Sequence, residues 1–332
     1  MTIGTRPALP LLFVRMLRYR VAAMVWMFML LGVARHGALD RFTLDYLWAS
    51  LLLASSYVAA TCLNDIADVG VDRINHPGDS GRPLVTGEAG RHNLLQVYVI
   101  ASVLAVGFAV PLGLAGLSLA GLSLLIGWVY SVGPVRLSYR TYAAPLVLSI
   151  AYVLVPYLLG LVAAGERPAA SDLGLCAALY LLFLARINLK DFRDREGDRQ
   201  YNKPTLLLRF GKDRTCLISL VALAAGGITL GANLRPPAAV AVILSLYLVA
   251  IGSRLHALWR AGDERSEQVA IGLGARAGNG LLISVLTFLL LADSGAPPAN
   301  VTIMMGVVAV LFGVDFAVLV RRPEQIVIGY KA

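Results

Sequence analysis

The sequence predicts an all-α, polytopic membrane bundle of nine to ten transmembrane helices, and three observations carry that prediction. Of the 332 residues, 58% are apolar and only 15% charged, where soluble domains carry about a quarter of their residues as charges. The mean hydropathy is +0.73. Apolar runs approaching the roughly 20 residues that a helix needs to cross hydrocarbon recur ten times: near 20–35, 43–63, 94–112, 115–131, 143–163, 172–189, 215–232, 237–252, 277–293 and 300–320. Disorder is excluded by the hydrophobicity. A disulfide framework is excluded because Cys62, Cys176 and Cys216 are odd in number and lie in or beside apolar runs. No stretch alternates polar and apolar residues as a β-barrel strand would. No Ser/Gly linker divides the chain, so a single integral membrane domain over 1–332 is expected.

The first run follows Arg6, Arg15, Arg18 and Arg20, which place the N-terminus on the cytoplasmic side. Its large residues argue against a cleaved signal peptide. Counting onward, the inner segments are 64–93, 132–142, 190–214, 253–276 and the tail after 320. The outer loops contain only Arg35, Arg41, Arg167 and Arg235. This alternation accounts for the net charge of +9 without a nucleic-acid partner, and no protein partner is inferred. The expected location is the cell membrane, in contact with lipid. The mixed-charge segment 253–276 reads as an interfacial amphipathic helix. Asp315, inside the last run, is costly there unless it is paired or faces a cavity.

Two inner loops stand apart. One carries Asp65, Asp68 and Asp72 before Arg73; the other carries Asp191, Asp194 and Asp198 before Arg199. Both triplets have offsets 0, 3 and 7, and both follow an apolar run. At about 100° per residue these offsets fall within about 60° of one helical face, so a helix continued past the membrane edge aims three carboxylates together. Such a cluster needs a counter-ion, and Mg²⁺ is commonly held by one or two carboxylates plus substrate phosphates. Two opposed acidic faces suit metal ions around a diphosphate, whose neutralisation lets a carbon–oxygen bond ionise. All six aspartates lie at one membrane edge, whereas transporters usually place ionisable groups near the midplane. Arg82 is held before Pro83 and suits bidentate phosphate contact. Lys190 heads the second triplet and can offset a diphosphate, and Arg136 can reach a phosphate or a lipid headgroup. His76 and Asp79 read as loop residues; Arg193, Arg195 and Arg199 lie among the acids and partly balance them.

These loops resemble the UbiA superfamily of intramembrane prenyltransferases. The likeness rests on N-D-x-x-D-x-x-x-D at 64–72, R-P-L-x-x-G at 82–87, Y-S-x-x-P-x-R-L at 130–137, K-D-x-x-D-x-x-G-D-R at 190–199 and T-L-x-x-R-F-G at 205–211. It implies a helical bundle around a central cavity that opens sideways to lipid. It also implies Mg²⁺-dependent transfer of a prenyl group from an isoprenyl diphosphate to a small acceptor, with an aromatic quinone precursor as the commonest use. The rival outcomes are terpene cyclisation and transfer to a non-aromatic or lipid acceptor. Carried across position by position, Asp65, Asp68, Asp72, Asp191, Asp194 and Asp198 match metal positions. Asn64, Arg82, Lys190 and Arg136 match diphosphate positions, Tyr130 lies near the reacting carbon, and Asp191 is a candidate base. The family commonly has nine spans. Ser138 stands here where the family often has lysine, with Arg140 as a possible substitute.

Overall fold

A computed structural model describes residues 8–40 and 43–326, with the backbone alone at Arg20 and Asp40. Arg6, Arg41 and the Arg20 side chain, used above to orient the chain, lie outside what is described. All regular structure among the described residues is helical. A short α1 (Leu9–Met16) leads into α2 (Tyr19–Ala34) through Arg18, whose φ of 44° turns the chain between them. The axis of the fold is α3 (Leu44–Asn75), 32 residues in one helix. At 1.5 Å per residue it is about 48 Å long, longer than the roughly 30 Å hydrocarbon core. Its last turns therefore continue beyond the apolar run and carry the first acidic triplet. The one-turn α4 (Pro83–Thr86) follows.

α5 (Arg91–Ala109) and α6 (Gly113–Ser131) are joined by Val110–Leu112 and by Gly113, whose φ of 67° favours glycine. By length and hydropathy alone, eight helical segments can span a bilayer, or nine with the bent α1–α2 pair, when residues 91–131 count as one segment of 41 residues. That segment folds back on itself. Leu94 and Ala101 on α5 pack with Ile66 and Val58 of α3, and Ala109 packs with Leu52 and Leu53. On α6, Leu119 and Ala120 share the Leu52–Leu53 cluster, and Gly127 abuts Ala60. α5 thus runs antiparallel to α3 and α6 parallel to it, so residues 91–131 cross twice. Counting these two crossings separately gives nine such segments among the described residues, or ten with the bent α1–α2 pair, within the nine to ten expected.

The next crossing is α7 (Ala143–Ser149) continued by α8 (Val155–Ala163) through a π-helical turn at Ile150–Leu154. α9 (Ala170–Ile187) follows, and two short helices, α10 (Lys190–Arg193) and α11 (Arg195–Gln200), continue from its C-terminal end. The remaining crossings are α12 (Leu206–Leu234), α13 (Ala238–Arg260), α14 (Glu264–Asp293) and α15 (Pro298–Arg321). The segment 253–276, expected as an interfacial helix, is instead the end of α13 and the start of α14, separated by only three residues. Its charges are helix-end charges: Asp263 caps α14 by accepting from the Ser266 amide at 2.9 Å, and Glu267 is buried. Asp315 pairs with Arg276 at 3.0 Å, which meets its need for a partner. α15 leaves Ile303, Val310, Leu311 and Val314 exposed, as a lipid-facing helix does.

The largest apolar cluster joins α2, α8, α9, α12, α13 and α14. α2 and α8 approach through glycines. A Cβ added at Gly160 would come within 2.1 Å of the Met29 carbonyl oxygen, and one at Gly32 within 2.2 Å of the Tyr157 carbonyl oxygen. Close backbone approach of this kind is the usual device for packing helices in lipid. Gly160→Val is expected to cost about 1–3 kcal/mol or more by overpacking. The measurement is the melting temperature of detergent-purified protein; a value equal to wild type would contradict the close packing.

Candidate functional site

Asp65, Asp68 and Asp72 share one face of α3, and all three are buried. Buried like charges cannot stand together unless counter-charges reach them. Several other segments deliver those counter-charges. Arg18 Nη2 donates to both Asp65 oxygens at 2.7 Å. Arg82 pairs with Asp72 and lies 3.8 Å from Asp65. Arg136 Nη2 donates to Asp68 at 2.9 Å and to the Ala67 carbonyl at 3.0 Å. Within α3 itself, the Asn64 amide donates to Asp68 at 3.3 Å.

The second triplet does not lie on one continuous helix, contrary to the expectation from its spacing. α9 ends at Ile187, and the backbone leaves helical geometry at Asp194 (φ −95°, ψ 7°), which opens α11. The bend lets α11 dock on the end of α3. The Gly197 amide donates to Asn75 Oδ1 at 2.6 Å, and a Cβ at Gly197 would meet the Val71 carbonyl oxygen at 2.7 Å. Docking brings the two motifs to one end of the bundle. Asp194 Oδ1 lies 3.1 Å from His76 Nε2 and 3.3 Å from Arg193 Nε. Lys203 Nζ lies 3.5 Å from Asp68 and 3.4 Å from Asp198, so one ammonium bridges both motifs. Glu267 anchors the second motif from α14, accepting from Arg195 and Lys212 at 2.8 Å each.

A cavity of about 390 Å³ opens between these motifs and runs into the bundle. Its charged mouth includes Asp68, Asp72, Asp194, Asp198, Lys190 and Lys203. Asn64, Arg18, Arg82 and Tyr130 also line it, and deeper walls come from Tyr57, Ile126, Tyr152 and Phe183. The π-helical turn at Ile150–Leu154 presents both Ala151 and Tyr152 to the chamber. Not every expected residue faces it. Asp65 sits behind, clamped by Arg18. Asp191 pairs with Lys190 at 3.0 Å and borders a small adjoining hollow with Ser138, Arg140 and Thr205. Arg136 stays outside the chamber, its guanidinium 3.9 Å from the Tyr139 ring centre. Three contributors escaped the sequence reading. Arg18 read only as a topology charge and His76 only as a loop residue. Lys203 had a signal, since it follows the second motif directly before Pro204.

Among the described residues, no three acidic, histidine or cysteine side chains form a ready-made metal cage. The donor set nevertheless fits a hard cation shared with a ligand. Both Asp198 oxygens are buried without a hydrogen-bond partner, and oxygen donors of this kind suit Mg²⁺ completed by phosphate oxygens. Burial pushes the Asp198 carboxyl up to about 6; Lys203 and Lys190 pull it down while Asp194 and Asp191 push it up. Burial would also raise Asp194, but Arg193, a hydrogen bond from His76 and Lys190 outweigh it and hold that carboxyl below its ordinary range. A metal at Asp198 competes with a proton. Apparent Mg²⁺ affinity is therefore expected to weaken as the pH falls through 6, by up to about tenfold per pH unit. Mg²⁺ titration at pH 5, 6 and 7 checks this, and a pH-independent midpoint would contradict it.

A profile of the UbiA prenyltransferase family matches residues 21–273. Homogentisate phytyltransferase of Synechocystis is 33% identical over 183 residues, 53% of this chain and 58% of that protein. Digeranylgeranylglyceryl phosphate synthase of Methanothermobacter thermautotrophicus is 32% identical over 219 residues, 65% of this chain and 69% of that protein. The chain spans about three-fifths of the length of several such curated relatives. A solved UbiA homologue from Archaeoglobus fulgidus, bound to DMAPP and Mg²⁺, shares the fold at a TM-score of 0.55 and 17% identity. That likeness covers 93% of this chain and 99% of that one. With its many apolar helices, its paired acidic motifs at one mouth and a profile match over most of its length, this multi-pass membrane chain belongs to the UbiA prenyltransferase family.

Proposed function

We propose that this protein transfers a prenyl group from an isoprenyl diphosphate to an aromatic, quinone-precursor-like acceptor within the membrane, with Mg²⁺ as cofactor. The observation that carries the reading is the meeting of two acidic motifs and their cations at the mouth of one largely apolar chamber. In this reading Asp68, Asp72, Asp194 and Asp198 hold the metal at the chamber, with Asp65 and Asp191 behind them. Bound there, Mg²⁺ would neutralise charge that builds up on the departing diphosphate. Arg82, Lys190, Lys203 and Arg18 orient and offset the remaining phosphate charge, Asn64 steadies Asp68, and Arg136 braces the first motif from outside. The allylic C–O electron pair leaves with the diphosphate. The acceptor ring supplies the pair for the new carbon–carbon bond, and the ring proton passes to the released diphosphate. Tyr130 stands beside the reacting carbon, where its ring electrons favour positive charge. The apolar walls exclude water that would quench the cation. Asp191 borders the adjoining hollow, away from the chamber where a base would act; its part here is to hold Lys190 toward the chamber. The motif-bearing end faces the cytoplasm, supported by the basic residues of the inner segments.

A second reading, transfer to a lipid acceptor, is favoured by the likeness to digeranylgeranylglyceryl phosphate synthases. One assay tests both. Membranes containing the protein are incubated with prenyl diphosphates of several lengths, crossed with aromatic and lipid acceptors, and products are read by mass. Expected is prenylated acceptor that depends on Mg²⁺ and vanishes in EDTA. Product formed at full rate in EDTA would sink the reading, and product formed without any added acceptor would favour cyclisation.

A further inference from the structure

One buried carboxylate close to the second motif stays outside the chamber. Glu267 is 6% exposed, and neither it nor its partners Arg195 and Lys212 line the cavity. Its two oxygens take different cations: Oε2 accepts from Arg195 Nη2 and Oε1 from Lys212 Nζ, each at 2.8 Å. A buried charge is tolerated only with such partners. The partners sit at the two ends of one strap, residues 195–212. Arg195 opens α11, directly after Asp194, and Lys212 follows a break in α12 at Gly211. Gly211 has φ 80° and ψ 175°, a region essentially reserved for glycine. Beyond the break, Lys212 Nζ also donates to the Ala261 carbonyl at 2.6 Å. Both ends of the strap are therefore gathered where α13 turns into α14.

The strap carries what the chamber uses. Asp198 and Lys203 lie within it and Asp194 immediately precedes it, and all three line the cavity. Its middle is held by Thr141 Oγ1, which donates to the Pro204 carbonyl at 2.6 Å. Docking on Asn75 fixes α11 against the first motif. The Glu267 tie fixes the strap to α14, whose Ile271 and Ala275 belong to the chamber wall. We propose that Glu267 is a positioning residue for prenyl transfer. By closing both ends of the strap on one carboxylate, it sets where Asp194, Asp198 and Lys203 stand relative to Asp68, and so the grip on metal and diphosphate. Groups that orient metal-binding side chains from behind are needed for affinity although they touch neither metal nor substrate. This inference rests on the prenyl-transfer reading and adds to it a residue outside the chamber on which the geometry of that site depends.

The test uses the full-length protein in lipid nanodiscs and has two readouts: the Mg²⁺ midpoint for binding inorganic pyrophosphate, and the KM values of prenyl transfer. Glu267→Gln keeps the shape and removes the charge. It is expected to raise the Mg²⁺ midpoint and the KM for prenyl diphosphate about 10- to 100-fold, the usual effect of removing a group that orients metal ligands. The acceptor KM should keep its wild-type value, and Glu267→Asp, which restores the charge, should recover part of the loss. Because Glu267 acts through Arg195 and Lys212, adding Glu267→Gln to the Arg195→Gln/Lys212→Gln variant should change nothing further. Trp259→Phe removes the Nε1 bond to Asp213 at 2.8 Å, a tie between α13 and α12 just past the strap, and should leave both readouts unchanged. Lys212→Gln alone should shift the same midpoint by less and serves if Glu267→Gln does not accumulate. A wild-type midpoint in Glu267→Gln would overturn the inference while leaving prenyl transfer standing. Equal losses in Trp259→Phe, or a further loss in the triple variant, would overturn it as well. If the wild-type protein prenylates no acceptor, the prenyl-transfer reading itself fails; a raised pyrophosphate midpoint then still supports the role of Glu267, and an unchanged one overturns it.

Discussion

Replacing Asp68 or Asp194 with alanine is expected to reduce prenyl-transfer turnover on the order of 10³-fold or more, comparable to losing a principal electrostatic stabiliser of a transition state. The two residues come from different motifs, and both line the chamber. Asp68 accepts from Arg136 and Asn64 and lies 3.5 Å from Lys203, and Asp194 faces His76 and Arg193. Alanine at Asp68 takes from the buried Lys203 one of its two carboxylates, and alanine at Asp194 takes a partner from His76 and Arg193, so either variant is also expected to lose some stability. The asparagine variants separate the two effects, because they keep the shape and an acceptor oxygen while removing the charge. Asp68→Asn and Asp194→Asn should accumulate in membranes with near wild-type melting temperatures and still show the loss of turnover. Activity of both asparagine variants within about tenfold of wild type would refute the metal–diphosphate assignment.

Gly197→Val is expected to abolish activity although residue 197 carries no functional group. The added side chain would begin 2.7 Å from the Val71 carbonyl oxygen and from both polar atoms of the Asn75 amide. The backbone oxygen belongs to a long rigid helix and cannot retreat, so α11 must move. Asp198 is one residue away, and Lys203 would lose one of the two carboxylates it bridges. Gly197→Ala tests the same contact with the smallest possible intrusion and should fall between wild type and valine. The KM for prenyl diphosphate and the Mg²⁺ midpoint should rise in the alanine variant before the melting temperature moves far. Wild-type kinetics in the alanine variant would mean that the α3–α11 contact does not set the position of the second motif.

Both predictions bear on what could be read from the residues alone. The apolar runs reappear as long helices among the described residues because hydrophobic length is a local property that bilayer thickness imposes directly. The first acidic triplet was legible for a similar reason: α3 continues without a break, so spacing along the chain becomes direction in space. The second triplet obeyed the same spacing and still folded differently, because docking of α11 against Asn75 and Val71 overrides local periodicity at Asp194. Segment 253–276 misled through its composition. Charges at the ends of two spanning helices look like one amphipathic helix when tertiary context is missing.

By itself, the sequence determined the membrane class, the repeated acidic motifs and their grouping at one membrane edge, since hydropathy, charge and short-range spacing are written residue by residue. Only the tertiary structure decided which side chains face the chamber. Arg18, 47 residues from Asp65, and His76, 118 residues from Asp194, meet their partners only after the bundle closes. Asp191 turns aside to Lys190 for the same reason. Burying carboxylates requires counter-charges from whichever segments packing brings near, and that choice is made by long-range contacts that no local pattern encodes.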